Sequence, residues 1–454
     1  MSNKNIELMR GNPETAVKKL AIPIMISMIL TAAYNIIDGI WVAGLGQTAI
    51  AGIGFVTPIF MVLNGASVGL GNGATSSIAR FIGAKNHNKA NLSAAHSLII
   101  IFIASIILTT LFLILQEPIL RSYGASGQTL TDGLSYSTPL FIGLITIMFS
   151  NGASGILRGE GDMKRAMYAV IVTVILNVIL DPLFIYTFGW GPAGAAIATI
   201  VSAAIAAVVI LYWILIKKDT YVHVTFKGFK FEKQMVFDIL KVGIPSSLDM
   251  LIMAIAMSIY LILISQVGGD YSIATFSSGQ RLFLFAIMPL TAIGSAVVAV
   301  CGSAYGAKNG DYLSRAHQYG SKFGLILGTI VTLILVIFAT PLATIFAYTP
   351  ETANLIPGIV DYLWYCCPCL IFIGIGIPSS FFYQGIGKGA YSLIFTILRE
   401  IIFSVPLTYL FALTFGLGPL GIWIGIGIGK SIASILNYLF ARYEIKRTRA
   451  KFGN

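Results

Sequence analysis

The sequence predicts an all-α integral membrane protein, with twelve transmembrane helices in two six-helix bundles that form parallel repeats around a central cavity. Three observations lead there. The 454 residues are 57% hydrophobic and only 10% charged, whereas a soluble domain carries about 25% charged residues. Apolar stretches long enough to cross a bilayer, roughly 20 residues each, recur along the whole chain. Short motifs of the first half return in the second at a nearly constant offset.

The elements follow in order. Asn12 can cap the first helix, Pro13 suits its first turn and Glu14 favours the positive helix end. Spanning helices are expected near 14–43, 50–80, 93–115, 132–157, 166–187 and 192–216. A Lys-rich link at 217–234 separates this first lobe (1–216) from the second (235–454). The second set is expected near 236–267, 272–302, 315–346, 354–385, 392–415 and 419–443. The chain opens on a polar segment, and its first apolar run has no small-residue cleavage pattern. That run is expected to stay as an anchor.

Charge tests the map. With both termini inside, the inner segments hold nearly every Lys and Arg: Lys4 to Lys19, Arg80 to Lys89, Arg158 to Arg165, Lys217 to Lys241, Lys308, Arg315 and Lys388, then Arg442 to Lys451. The outer loops hold one, Arg121. Basic residues gather in cytoplasmic loops, and one miscounted helix would invert everything after it. The net charge of +11 therefore reads as topology rather than nucleic-acid binding.

The repeat is visible in five places. Lys19-Leu-Ala-Ile-Pro23 returns as Lys241-Val-Gly-Ile-Pro245, and Gly83-Ala-Lys-Asn86 as Gly306-Ala-Lys-Asn309. Ala95-His96 returns as Ala316-His317, Arg158-Gly-Glu-Gly161 as Gln384-Gly-Ile-Gly387, and Phe188-Gly-Trp-Gly-Pro192 as Phe415-Gly-Leu-Gly-Pro419. Six helices per half is even, so both halves enter the membrane in the same direction.

Charges inside spanning helices are costly and mark function. Asp38 and Asp181 fall at similar depth in the outer halves of helices one and five. Tyr34 and Asn35 share the Asp38 face, and Asn177 lies one turn below Asp181. Pro182 lacks an amide hydrogen and leaves the Val178 carbonyl without its helical donor. Carboxylates, amide oxygens, hydroxyls and a free carbonyl suit Na+ or a shared proton, with a structural hydrogen-bonded pair as the alternative. Asp249, Glu400 and Arg281 are second-lobe charges that admit either a structural ion pair or a transport role. Arg399 and Glu400 are adjacent and are not expected to face each other. Pro23 should bend helix one and is a candidate hinge. Cys366 and Cys369 have metal-like spacing but sit in an apolar helix, where core packing explains them. The glycines at 425, 427 and 429 suit close helix packing. The four His are expected in loops or at loop edges. No phosphate-loop, zinc-protease or nucleophile-elbow pattern is present, so no enzyme is expected, and no cofactor.

Three motifs together resemble the multidrug and toxic compound extrusion (MATE) transporters along nearly the whole chain. They are Tyr34-Asn35-Ile-Ile-Asp38-Gly39, Leu157-Arg158-Gly159-Glu160-Gly161-Asp162 and Asn177-Val-Ile-Leu-Asp181-Pro182. They look most like the archaeal and related bacterial branch with acids in both helices. The resemblance implies two lobes around a central cavity, and efflux of amphipathic, often cationic compounds in exchange for inward Na+ or H+. It implies a cation site at Asp38, Asn177, Asp181 and Thr199, with Tyr34 and Asn151 as polar wall residues and Pro23 at the helix-one bend. It assigns no role to Asp249 or Glu400.

The expected protein is thus a plasma-membrane antiporter, monomeric, with both termini cytoplasmic, binding small molecules and lipid but no nucleic acid. The first rival is a lipid-linked oligosaccharide flippase, which would need cations for a pyrophosphate. Arg281, Arg399 and Lys430 are its candidates. A channel or membrane enzyme is the second. The backbone is duplicated but the acids are not: Asp38 faces Tyr260 in the repeat, and Asp181 falls near Val405.

Overall fold

Asn12 opens the first spanning helix as its side chain dictates. Its Oδ1 accepts from the Glu14 amide at 2.9 Å and from the Thr15 amide at 3.4 Å, which satisfies donors that the first turn leaves unpaired. The computed structural model of the protein describes residues 2–217, 219–224, 229–347 and 352–453. Lys218 and Lys227, counted above among the inner charges, lie outside the described residues.

Helix α1 runs Pro13–Ala43 and continues through Pro23. Next come α2 (Gln47–Gly83) and α3 (His87–Ser122). Helix α4 has two segments, Gly127–Ile142 and Leu144–Gly159, bent by 49° at Gly143. Helices α5 (Met163–Thr187) and α6 (Gly191–Lys217) complete the first half. Helices α7 and α8 share one run, Lys233–Gly306, which leaves helical geometry at Gly269, with φ 56° and ψ −154°. They are therefore 233–268 and 270–306. Helix α9 is Gly310–Ile337, with a short helix, Ala339–Phe346, after it. Helix α10 is Ala353–Tyr365 plus Cys369–Gly385, bent by 53°. Helices α11 (Gly389–Thr414) and α12 (Gly418–Phe452) close the chain.

Among the described residues nine helices are long and apolar enough to span. The break at Gly269 makes one of them two, and each bent pair adds one, which gives the expected twelve. The bends have local causes. Pro368 sits in the break of α10 and cannot donate to the preceding turn. Gly143 lets the bend of α4 press against Ile200 of α6, where a Cβ would overlap that side chain.

Two expected ends differ. The helix predicted over 315–346 stops at Ile337, because Phe338 departs from helical geometry at φ −98° and ψ 25°. The helix predicted to end at 443 reaches Phe452, because polar contacts hold its tail. Glu444 pairs with Lys388, Arg449 with Asp311, and Arg442 Nη1 donates to Ser314 Oγ at 3.2 Å. Nor are the four His all at loop edges. His96 and His317 are buried within α3 and α9. His317 Nε2 lies 3.0 Å from Ser379 Oγ, and His96 Nε2 accepts from the Glu232 amide at 3.0 Å.

The duplication holds at the level of dihedral angles. Lys85 and Lys308 both adopt positive φ, 56° and 53°. The next residue in each case caps a helix: Asn86 Oδ1 accepts from the Lys89 amide at 3.0 Å, and Asn309 Oδ1 from the Tyr312 amide at 2.9 Å. Gly161 and Gly387 match in the same way, at φ 79° and 77°. A π-helical turn ends α5 (Leu183–Thr187), and another ends α11 (Leu410–Thr414).

Packing divides the chain into two compact units, Met1–Gly11 with Ile22–Leu248, and Asn12–Ala21 with Asp249–Asn454. The first unit has apolar clusters around Leu63, Phe141 and Met148, and around Ile78, Ile156 and Ile210. In the same unit the link after α6 lies against the ends of α3 to α5. Glu160 Oε2 accepts from the Val222 amide at 2.9 Å, and Asn91 Oδ1 from the His223 amide at 2.8 Å. Burial there pushes the Glu160 carboxyl up to about 8. The second unit's core centres on Tyr362, Trp423 and Phe276. Large apolar side chains such as Ile29, Ile114, Val208 and Ile337 point outward, as a hydrocarbon solvent allows.

Glycine sets the closest crossings. A Cβ on Gly374 of α10 would overlap the Gly324 carbonyl of α9, and one on Gly324 would overlap the Gly374 carbonyl. Overpacking costs about 1–3 kcal/mol, so Gly374→Val should lower the thermal midpoint of the purified protein by several degrees. An unchanged midpoint would show that the crossing has room to spare.

Candidate functional site

The site grows from two helices that carry acids at helical spacing with polar neighbours. On α5, Asn177 and Asp181 are one turn apart and face the same way. Both are inaccessible, at 1% and 0% exposure. The Asn177 amide satisfies its surroundings in one orientation. Its nitrogen then donates to Asp181 Oδ2 at 2.7 Å, and its oxygen accepts from the Thr199 amide at 3.2 Å. Thr199, on α6, also places its Oγ1 3.3 Å from the Asn177 oxygen and 3.2 Å from the Ala195 carbonyl. Tyr34, on α1, reaches Thr199 with its hydroxyl.

Asp38 comes from α1, one turn beyond Tyr34. Its carboxyl lies within hydrogen-bonding reach of the Asp181 carboxyl. Two carboxylates so placed repel unless a proton or a cation lies between them. Asp181 Oδ1 is buried and receives no hydrogen bond. A buried carboxylate oxygen without a donor is costly, and the cost vanishes when the oxygen is protonated or ligates a cation.

One turn further along both helices the surroundings become apolar. Val42, Ile185 and Ala195 form a small core, with Trp41, Leu45, Ile53 and Tyr136 against it. Tyr186 donates to the Trp41 carbonyl and meets the Trp41 ring edge-on at 6.3 Å. This layer ties α1 to α5 directly above the acids. The π turn Leu183–Thr187 begins right after Pro182. It rotates Ile185 and Tyr186 relative to a regular helix, a distortion common at functional sites.

The sequence-expected residues divide. Tyr34, Asp38, Asn177, Asp181 and Thr199 come together. Asn35 is exposed and makes no hydrogen bond among the described residues. Asn151 donates to Ser67 Oγ of α2 at 3.0 Å. Pro23 accepts through its carbonyl from Ser27 Oγ at 3.0 Å. Tyr136 was missed. Its hydroxyl stands in the field of both carboxyls and of Tyr34, yet one tyrosine in an apolar helix carries no sequence signal. Among the described residues no cluster of three or more His, Cys, Asp or Glu could hold a metal ion. Any cation here relies on two carboxylates and neutral oxygens, a set suited to Na+ rather than to a transition metal.

A family model described as MatE matches residues 23–183 and again 245–410. The chain belongs to the MatE family. The second match begins 222 residues after the first and ends 227 after it, which reproduces the internal repeat. In sequence the chain is similar to the probable multidrug resistance protein YoeA of Bacillus subtilis, 22% identical over 94% of this chain and 93% of that one. It is also similar to the FAD transporter of Shewanella oneidensis, 25% identical over 93% of each. In structure it is similar to a MATE protein crystallised with MaL6. The TM-score is 0.96 and the identity 38%, over 98% of this chain and 99% of that one. The protein is accordingly a multi-pass membrane transporter of the MatE family, not an enzyme, and it shares the twelve-helix fold of those structures.

The second unit of this MatE protein treats its charges differently. Glu400 is 3% exposed and Lys430 7%, and Lys430 Nζ donates to Glu400 Oε2 at 2.6 Å. Arg399 Nε donates to Glu400 Oε1 at 2.9 Å. The expectation that these neighbours would not face each other fails, because Leu398–Phe403 is a π turn rather than a regular one. Lys430 also stands over the Phe283 ring at 5.7 Å. Asp249 reaches Thr396 and Ser392 and lies near Arg399, but its Oδ1 is buried without a donor. Arg281 is exposed. Glu400 of the second unit is thus matched by two cations, whereas among the described residues the Asp38–Asp181 pair has none.

Removing one member of a buried pair costs about 3–5 kcal/mol, while replacing both by apolar groups costs far less. Lys430→Met should therefore lower the thermal midpoint sharply, and adding Glu400→Leu should recover part of the loss. If the two losses simply add, the pair is not the structural clamp described here.

Proposed function

We propose that the protein is a secondary active multidrug antiporter of the plasma membrane. It exports amphipathic, often cationic compounds in exchange for Na+ or H+ moving inward. The observation that carries this reading is the unmatched acid pair. Half-buried Asp38 meets buried Asp181, Asp181 Oδ1 has no donor, and among the described residues no cation balances them. One similar protein is described as a probable multidrug resistance protein, which supports this reading, and another as an FAD transporter.

An ion from outside that reaches the pair removes a charge from a low-dielectric place. The loaded pair then favours one arrangement of α1 against α5, and the empty pair another. Pro23 is the proposed hinge of α1, and Tyr34, Asn35 and Asn151 the polar wall. Asn177 separates the two ions chemically. In the orientation that satisfies its neighbours, its nitrogen faces Asp181, which suits a protonated partner pair. To ligate Na+ together with Asp38, Asp181 and Thr199, the amide must turn its oxygen inward. The lobes 1–216 and 235–454, the single-chain working unit and the cytoplasmic termini complete the proposal. They follow from the repeat and from the loop charges. The transport cycle needs no cofactor beyond the coupling ion.

The flippase alternative loses support, since Arg399 and Lys430 are both engaged by Glu400 and only Arg281 of its three cations is left.

The test is dye efflux from proteoliposomes with Na+ and pH gradients imposed separately. One gradient should drive efflux in the wild type. Asp38→Asn and Asp181→Asn should each reduce driven efflux to the level of protein-free vesicles at normal expression and thermal midpoint. Driven efflux that survives in Asp38→Asn would refute the assignment.

A further inference from the structure

Helix α9 carries a cation on a face that otherwise belongs to lipid. Its outward side chains follow one helical stripe, Lys322, Ile326, Ile330 and Ile337, and the three isoleucines are 48%, 48% and 68% exposed. Lys322 is the first member of that stripe and is itself exposed. It lies two turns beyond Arg315, about 10 Å deeper at a rise of about 1.5 Å per residue. Among the described residues Lys322 has no carboxylate partner. A charge on a spanning helix in that position asks for a counter-ion.

The surroundings describe one. Lys322 and Arg315 line a groove of about 360 Å³ between α9 and the first turn of α1. Gln318 and Tyr319 add polar tips, and Phe323 and Ile326 an apolar floor that runs on into the lipid-facing stripe. The one acid there, Glu14, sits 3.8 Å from Arg315, with both side chains at least half exposed. So loose a pair contributes little, and it leaves Lys322 unbalanced.

We infer that this groove binds an anionic phospholipid, with its phosphodiester on Lys322 and Arg315 and an acyl chain along Ile326 and Ile330. A soluble phosphate would use the cations but not the floor. A zwitterionic lipid would use the floor but bring its own cation to a cationic mouth. The topology places the groove at the inner leaflet, where anionic lipid attracts basic groups next to the membrane. The inner-leaflet placement rests on the proposed orientation with both termini cytoplasmic, and the groove is independent of the acid pair.

Native mass spectrometry of the full purified chain tests it, with phosphatidylglycerol and phosphatidylcholine added separately. Phosphatidylglycerol should stay bound under conditions that strip phosphatidylcholine, and millimolar inorganic phosphate should not displace it. Lys322→Gln and Arg315→Gln should each lower its occupancy about fivefold and the double variant about 20-fold, from the strength of one basic group at an anionic surface. Lys322→Arg should keep binding, and Lys446→Gln, on the exposed tail of α12, should leave it unchanged. Equal retention of the two lipids, full displacement by phosphate, or equal loss in Lys322→Arg and Lys322→Gln would each overturn the site.

Discussion

Much in the first half of this protein turns on the cost of keeping two carboxyl groups side by side, Asp181 fully buried and Asp38 half-buried. Asp38 and Asp181 lie within reach of each other, and among the described residues no cation offsets them. Asn177 donates to one oxygen and leaves another bare. Such a pair is stable only when occupied, by a proton or by Na+. On the function proposed above, this is the reason the pair would take up an ion. Trp41, Ile185 and Tyr186 form a largely apolar layer next to the acids.

The second half shows the same backbone without that cost. Where the first half has Asp38 the repeat has Tyr260, and its hydroxyl donates to the Glu400 carbonyl at 2.7 Å. Glu400 itself is held by Lys430 and Arg399. A carboxylate with two cations on it has little use for a third. Duplication thus kept the helices, caps and π turns and assigned the buried charge to different ends. One half holds an unmatched pair, and the other a neutralised cluster that binds α11 to α12.

Much of this was legible in the sequence, and what was not has physical reasons. The Asn12 cap, the apolar stretches, the repeated motifs and the loop charges are local signals, and they located nearly every helix. Asp38, Asn177 and Asp181 were readable because motif and helical spacing agreed, and Thr199 followed only from the family resemblance. The Glu400–Lys430 pair was not, since its members are 30 residues apart on different helices and either could have found another partner. Nor was the Arg399–Glu400 contact, because it needs a π turn that spacing arguments assume away. Tyr136 was invisible because its importance lies in what it faces. The burial of His96 and His317 escaped for the same reason: Glu232 and Ser379, each meeting one ring nitrogen, are far away in the chain.

The central claim is that the acid pair of the first half is where the coupling ion resides. Infrared difference spectroscopy of the purified protein addresses it directly, by following the carbonyl stretch of protonated carboxyl groups as pH is raised or Na+ is added. The account expects a band in the wild type that disappears on titration, and expects it to be missing in both Asp38→Asn and Asp181→Asn while Asp249→Asn retains it. A band unchanged in those two variants and lost in Asp249→Asn would place the ion in the other half and contradict the account.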